Sequence, residues 1–189
     1  MNLDLKLITI AQEICKDIKA AGAQEVMVAG GYVSNMLLNK PINDIDVFYT
    51  GTIVNPYKKK EIPKPAIKNT WWGQTAAGLP AQMTTIDDLL NIEENSIEGY
   101  GDAGWNVTNY EVYKDGVDFP IQLIKVTNFY EHLDTFGAGI RKVAITESGL
   151  YMTHEFMKNV VLETISFSVP QHTKFYQKIV KQFPEYSYA

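Results

Sequence analysis

The sequence predicts an α/β (α+β) fold in which a small mixed β-sheet is flanked by helices. Three observations support this: the first fifty residues have the order helix, strand, glycine turn, helix and strand; a β-prone pair follows near the middle; and helical periodicity returns towards the end. A chain of 189 residues, 46% of them hydrophobic, can bury the core of one ordinary domain. We expect a domain over residues 1–150 and a C-terminal helical segment over 151–189 that packs on it.

The first predicted helix covers residues 3–19, where apolar side chains recur three or four positions apart. They are Leu3, Leu7, Ile10, Ile14 and Ile18. Charged residues fill the intervening positions, so one face is apolar, and Gly22 is expected to end the helix.

A strand, a glycine turn, a second helix and a second strand follow within about thirty residues. The run EVMVA over 25–29 is closed by Gly30-Gly31, and the following YVSNMLLN has helical spacing. After Lys40-Pro41 breaks that helix, apolar and other residues alternate over 44–49 as in a strand that ends at Gly51.

The remainder divides into an irregular stretch, a hairpin and a helical end. Residues 52–104 are rich in lysine, proline and glycine and are interpreted as an insertion, with one short helix near 85–91. The β-prone runs 105–113 and 119–126 flank Lys114-Asp115-Gly116, which favours an antiparallel hairpin. Beyond Asn128 we expect a helix, a break at 136–139, a strand over 140–145 and helices over 153–165 and 172–183.

Composition narrows the classes of function. A net charge of −5 argues against a surface that binds nucleic acid throughout, although a local basic patch remains open. The single Cys15 cannot form a disulfide within the chain and is interpreted as a buried thiol. No run of eighteen apolar residues exists and the N-terminus is charged, so we expect neither a membrane span nor a signal peptide, and a cytoplasmic protein, in the host cytoplasm if it is viral.

Two carboxylates carry the chemistry that the sequence suggests. Asp44 and Asp46 are two positions apart on a predicted strand, and side chains at that spacing point to the same face. Such a pair beside a glycine turn suits Mg²⁺ that also holds phosphate oxygens. Gly30 and Gly31 would let the backbone approach a triphosphate, and Ser34 and Asn35 could offer polar contacts in the first helical turn.

The stretch VAGGYVSNMLLNKPINDIDVF resembles the nucleotidyltransferase superfamily of DNA polymerase beta, poly(A) polymerase and the CCA-adding enzymes. Those families read GG or GS, a helix and then D-x-D. The resemblance implies a polymerase-beta-like nucleotidyltransferase fold in which Asp44 and Asp46 ligate Mg²⁺ and a nucleoside triphosphate is the substrate.

A later stretch, DFPIQLIKV, is similar to the superfamily strand that carries a third aspartate, but it departs from the pattern. Pro120 stands in the place of that aspartate and Gln122 in the place of a basic residue. Asp118, two residues earlier, is the nearby carboxylate that would compensate as a third catalytic group. Lys125 and Arg141 are candidate phosphate contacts.

The implied activity is transfer of a nucleoside monophosphate to a hydroxyl acceptor on an RNA or tRNA end, a protein or a small molecule. Because Pro120 replaces the third acid, a degenerate relative that binds nucleotide, RNA or a host protein without turnover is the alternative. The stretches HLDTFGAGIRKVAI and QHTKFYQKIVKQF are similar to small phage-type nucleotidyltransferases, and a viral protein that acts on a host factor is a third reading.

Plainer interpretations of these residues also stay open. The aspartate pair could be a solvated strand edge, and Gly30-Gly31 an ordinary tight turn. The lysine run 58–60 and the paired Trp71-Trp72 are as readily explained by solvation and packing. Three lysines of the last helix share one face, which usually means solvation but would also suit an acidic acceptor. They are Lys174, Lys178 and Lys181. The three histidines lack metal-ligand spacing.

Overall fold

A computed structural model describes residues 3–59 and 110–189. The helices are α1 (Leu5–Ala20), α2 (Gly31–Leu37), α3 (Phe129–Asp134), α4 (His154–Leu162) and α5 (Lys174–Gln182). The strands are β1 (Ala23–Ala29), β2 (Ile45–Gly51), β3 (Lys58–Lys59), β4 (Tyr110–Tyr113), β5 (Ile121–Lys125), β6 (Val143–Thr146), β7 (Gly149–Met152), β8 (Thr164–Ile165) and β9 (Ser187–Tyr188).

Strands β1 to β7 form one mixed sheet in the order β3-β4-β5-β2-β1-β6-β7. The central strand β2 pairs antiparallel with β1 and parallel with β5, and the other pairs in this sheet are antiparallel. Strands β8 and β9 form a separate parallel pair. The fold class predicted from the sequence, a small mixed sheet flanked by helices, is confirmed.

Each face of β2 contributes to a different part of the core, because side chains alternate along a strand. Ile45, Val47 and Tyr49 pack into the main core together with the helices α1, α2, α4 and α5. Phe48 belongs to a smaller cluster on the opposite face, which α3 covers through Leu133. Asp46 has the parity of Phe48, so β2 directs this carboxylate towards the smaller cluster.

Helix α1 illustrates how the local sequence fixes the elements. Asp4 caps its N-terminus, where the side chain accepts hydrogen bonds from the backbone N–H groups of Lys6 at 3.0 Å and Leu7 at 3.2 Å. Of the predicted apolar positions, Ile14 and Ile18 are buried, together with Ala11 and Cys15. Leu3 precedes the helix and is exposed.

The hairpin prediction is confirmed within the described residues, because β4 and β5 pair antiparallel around the turn at Gly116. The predicted residues 105–109 of its first strand and the predicted helix near 85–91 lie outside the described residues. Residues 52–59 of the predicted insertion are described and contain β3, which pairs with β4.

Two predictions in the C-terminal half are corrected. The single strand expected over 140–145 is a 3₁₀ turn, Gly139–Arg141, followed by β6, which turns back through Gly149 into β7. The helix expected over 153–165 ends at Leu162, because Glu163 adopts a left-handed conformation with φ 49° and residues 164–165 form β8. The last predicted helix is present as α5, capped by Thr173.

Among the helices of the described ranges, none is both long and apolar enough to cross a membrane.

Candidate active site

The carboxylate of Asp46 lies beside the glycine turn that joins β1 to α2. Asp46 is opposite Ala29 in the antiparallel register of β1 and β2, so its side chain lies next to the residue that follows Ala29. A Cβ atom placed on Gly30 would be 3.8 Å from Asp46 Oδ2. Asp46 is only 7% exposed, and the absent side chain of Gly30 keeps the backbone close to this carboxylate.

Gly30 has a backbone that favours glycine, with φ 74°. Its N–H donates to the carbonyl of Val143 at 3.3 Å, and its carbonyl accepts from the backbone N–H of Ser34 at 3.1 Å and from Ser34 Oγ at 2.9 Å. A Cβ atom at Gly30 would also lie 3.4 Å from the ring of Phe136. Hydrogen bonds from both the N–H and the carbonyl of Gly30 therefore fix the turn, and the ring of Phe136 covers one side of it.

Asp44 immediately precedes β2 and is half-buried. The residue between the two aspartates, Ile45, is fully buried in the main core, and its N–H donates to the carbonyl of Pro120 at 2.9 Å. Alternation about Ile45 would direct Asp44 to the side of the sheet that Asp46 occupies if the extended backbone continues before β2. That the two carboxylates share this face stays a prediction.

The neighbouring strand β5 supplies an amide beside this pair. In the parallel register of β2 and β5, Asp46 lies opposite Gln122, and Pro120 precedes β5 near Asp44. Asp118 is exposed in the loop between β4 and β5. Within residues 3–59 and 110–189, no three side chains of His, Cys, Asp or Glu come together to hold a metal ion. Participation of Asp118 stays a prediction.

Two carboxylates nevertheless fit the donor set that Mg²⁺ uses with a bound nucleotide. Magnesium is typically held by one or two protein carboxylates, and phosphate oxygens and water complete its octahedron. Asp44 and Asp46 are hard oxygen donors, and their predicted placement on one face would suit this donor set. The described residues therefore suit a cation that arrives with a triphosphate better than one caged entirely by protein.

Ser34 and Asn35 lie in α2, as predicted, and make contacts that the sequence did not predict. Both are buried, and both accept hydrogen bonds from Nη1 of Arg141, at 2.7 Å in the case of Asn35 Oδ1. Asn35 Nδ2 donates to the carbonyl of Pro41 at 2.7 Å. These contacts favour a structural role for the two side chains, and their assignment as nucleotide ligands stays a prediction.

The two basic candidates also differ from expectation. Arg141 is 6% exposed, and its guanidinium contacts α2 and α5. Lys125 is exposed at the end of β5, where its parity is opposite to that of Gln122, so alternation directs it away from the face of Asp46. The role of Arg141 has no local sequence signal, because its partners on α2 are more than a hundred residues away.

Aromatic packing encloses the inner side of the candidate site. The rings of Phe48 and Phe136 lie with centroids 5.5 Å apart, and His132 lies 4.7 Å from Phe48. Burial lowers the pKa of His132 to about 4. A neutral, buried His132 agrees with the structural role that its lack of metal-ligand spacing indicated.

No protein-family model matches the chain, and no curated protein matches it in sequence. Several solved structures, in contrast, have a similar fold. A CCA-adding enzyme in complex with ATP superposes with a TM-score of 0.57 at 12% identity, over 99% of this chain and 40% of that chain. This chain shares the fold of the CCA-adding enzymes.

Two further structures give the same result. The CCA-adding enzyme of Bacillus stearothermophilus in complex with CTP has a TM-score of 0.53 at 14% identity, covering 97% of this chain and 41% of that chain. A tRNA-processing enzyme in its apo form has a TM-score of 0.54 at 12% identity, covering 100% of this chain and 45% of that chain. The chain thus spans less than half the length of the CCA-adding enzymes it matches, and at such identity the likeness concerns the fold alone.

Proposed function

We propose that the protein is a nucleotidyltransferase that moves a nucleoside monophosphate from a nucleoside triphosphate to a hydroxyl acceptor and releases pyrophosphate. The observation that carries the proposal is the position of Asp46, whose carboxylate lies beside the Gly30 turn in a fold shared with CCA-adding enzymes. The acceptor is an RNA or tRNA end, a protein or a small molecule.

Each residue of the site has a distinct task in this proposal. Asp44 and Asp46 would hold Mg²⁺, which when bound lowers the pKa of an acceptor hydroxyl and neutralises charge on the leaving pyrophosphate. Gly30 leaves room for the triphosphate to approach the backbone, which positions it next to the two carboxylates. Asp118 is the candidate for a third carboxylate that contributes to deprotonating the acceptor hydroxyl.

The same comparison supports the partners that we propose. The matched structures include a CCA-adding enzyme with ATP and one from Thermotoga maritima complexed with tRNA, the latter at a TM-score of 0.50. We propose a nucleoside triphosphate as substrate and RNA as the leading acceptor. One face of α5 carries three exposed lysines that would attract an RNA backbone. They are Lys174, Lys178 and Lys181.

Transfer of label from α-labelled nucleoside triphosphates to a panel of RNA, protein and small-molecule acceptors tests the proposal. With Mg²⁺ we expect transfer by the wild-type protein and loss of about a hundredfold or more in Asp46→Asn, because the metal loses an anionic ligand. Asp115→Asn is the matched control, since Asp115 is exposed in the hairpin turn between β4 and β5 and is paired with Lys58. Unchanged transfer in Asp46→Asn would refute the assignment of Asp46.

A second function, nucleotide binding without turnover, is favoured by one specific observation. The β5 positions beside the aspartate pair hold Gln122 and Pro120, and neither side chain can replace an acid. Magnesium-dependent nucleotide binding by calorimetry, combined with no transfer to any acceptor, would support this function. Gln122→Asp is then expected to strengthen metal-dependent binding, because it adds a carboxylate opposite Asp46.

A further inference from the structure

The guanidinium of Arg141 is buried between α2, which begins at the glycine turn, and the end of α5. Arg141 ends the 3₁₀ turn that precedes β6. On one side, Nη1 donates to Ser34 Oγ, to Asn35 Oδ1 at 2.7 Å and to the carbonyl of Gly31 at 3.4 Å. One nitrogen of Arg141 thus holds three acceptors of α2, including the second residue of the turn.

The other side of the same group contacts α5. Nη2 of Arg141 donates to Gln182 Oε1, and the guanidinium carbon lies 5.3 Å from the ring centroid of Phe183. Phe183 is fully buried in the main core, so the ring is a fixed surface for the cation. Arg141 therefore ties α2 to α5 through a planar group that cannot easily rotate between its partners.

The chain segment that carries Arg141 also holds the first residue of the turn. The carbonyl of Val143, two residues further on, accepts the hydrogen bond from Gly30 N at 3.3 Å. Gly30 is thus held by the backbone of Val143, and Gly31 by the guanidinium of Arg141. The position of the turn relative to Asp46 depends on these two residues.

We infer that Arg141 is a positioning residue for the nucleotide site: it fixes the Gly30-Gly31 turn at its distance from the Asp46 carboxylate. The inference rests on the proposed function for what the turn binds, and it assigns Arg141 no contact with substrate. Its burial between α2 and α5 distinguishes it from a phosphate contact. Lysine cannot replace it, because a single ammonium cannot reach acceptors on two helices at once.

The test compares Arg141→Met and Arg141→Lys with Lys142→Met. Lys142 is the matched control because it is buried to a similar degree, while its Nζ donates to Oε2 of Glu155 on α4 at 2.6 Å. Hydrogen–deuterium exchange of residues 26–38 measures how firmly the turn is held and requires no nucleotide. Calorimetry with Mg²⁺ and a non-hydrolysable nucleoside triphosphate measures the affinity for nucleotide.

Relative to the wild-type protein, both Arg141 variants are expected to show a larger increase in exchange rate over residues 26–38 than over residues 110–125. They should also bind nucleotide about tenfold or more weakly, because charge-assisted hydrogen bonds are lost. Lys142→Met should lose stability without either effect. Adding guanidinium ion at millimolar concentration should partly restore affinity in Arg141→Ala, which a general loss of stability would not allow. If Arg141→Met does not fold, Arg141→Lys provides the same comparison.

Wild-type exchange and affinity in Arg141→Lys would overturn the inference, and so would equal losses in Lys142→Met. Failure of the proposed function is a different result: the wild-type protein would then bind no nucleotide, while the exchange comparison would still show whether Arg141 holds the turn.

Discussion

Gly30 is the residue at which an unusual backbone conformation and the candidate site coincide. Its positive φ costs an L-residue about 1–2 kcal/mol. An added Cβ would lie 3.4 Å from the ring of Phe136 and 3.8 Å from Asp46 Oδ2. Gly30→Ala is therefore expected to lower both thermal stability and magnesium-dependent nucleotide affinity. Melting curves and calorimetry measure the two effects.

Gly116→Ala is the matched control for this prediction. Gly116 has a similar positive φ of 82°, but a Cβ there would meet nothing within 4 Å. The control should show a similar loss of stability from backbone strain and an unchanged affinity. Equal affinities in the two variants would contradict the placement of the Gly30 turn at a nucleotide site.

His132 makes stability depend on pH. Its pKa is lowered from 6.5 to about 4 by burial beside Phe48 and Phe136, so the unfolded chain takes up a proton at a higher pH than the folded protein does. The stability present above pH 6.5 is lost as the pH falls towards 4, by roughly 3 kcal/mol in all. Urea unfolding at pH 7, 5.5 and 4.5 should show the decline.

His132→Phe should flatten that decline while keeping the ring contacts, and His172→Gln, at an exposed position, should leave it unchanged. A pH dependence in His132→Phe as steep as that of the wild-type protein would show that other groups cause it.

The residues of the candidate site could be predicted only where the signal is local. Asp44, Asp46 and the two glycines lie within one short segment, and alternation along β2 is sufficient to place Asp46 beside the turn. The sequence indicates Arg141 only as a candidate phosphate contact, and its contacts with the turn could not be found in this way. Its partner Gly31 is 110 positions away, and the sequence around Arg141 suggests a strand.

At the scale of elements, the end of α4 provides a test of backbone preference. Glu163 caps this helix in a left-handed conformation with φ 49°, where glycine is favoured, and its side chain is exposed. Glu163→Gly should raise the free energy of unfolding by about 1 kcal/mol, because it removes the strain of a Cβ at positive φ. Chemical denaturation measures the change.

Glu163→Ala separates conformation from charge, since it removes the carboxylate and keeps the Cβ. No gain is expected from it. A gain equal to that of the glycine variant would attribute the effect to charge instead.

The elements that the sequence did not predict share one cause. Helical periodicity in residues 153–162 continues through 163–165, but the backbone turns at Glu163 and residues 164–165 pair with β9. Strand β7 has four residues and is defined by its pairing with β6. Such short elements are defined by pairing with another strand, whereas α1 carries its own periodic pattern and β1 its own apolar run.

At the scale of the whole molecule, one hydrophobic core extends across the predicted boundary near residue 150. Phe156 and Ile179 are fully or almost fully buried in the same cluster as Ile14 of α1 and Ile45 of β2. Because these side chains share one core, we expect residues 3–59 and 110–189 to unfold together. The division into 1–150 and 151–189 then describes chain order, not separate stability.

Phe183 tests this expectation, because it joins the end of the chain to the centre. It is fully buried, stacks under Arg141 and contacts Tyr186 edge to face at 5.7 Å. Phe183→Ala should lower the free energy of unfolding by about 3–5 kcal/mol, since it opens a cavity in the shared core.

Because the core is continuous, denaturation of Phe183→Ala followed by far-ultraviolet and near-ultraviolet circular dichroism should give one coincident transition at lower denaturant. Leu162→Ala is the control, because Leu162 is 58% exposed on α4 and its truncation should change stability by no more than about 0.5 kcal/mol. Two separate transitions in Phe183→Ala, with only one shifted, would mean that residues 151–189 fold as a unit of their own.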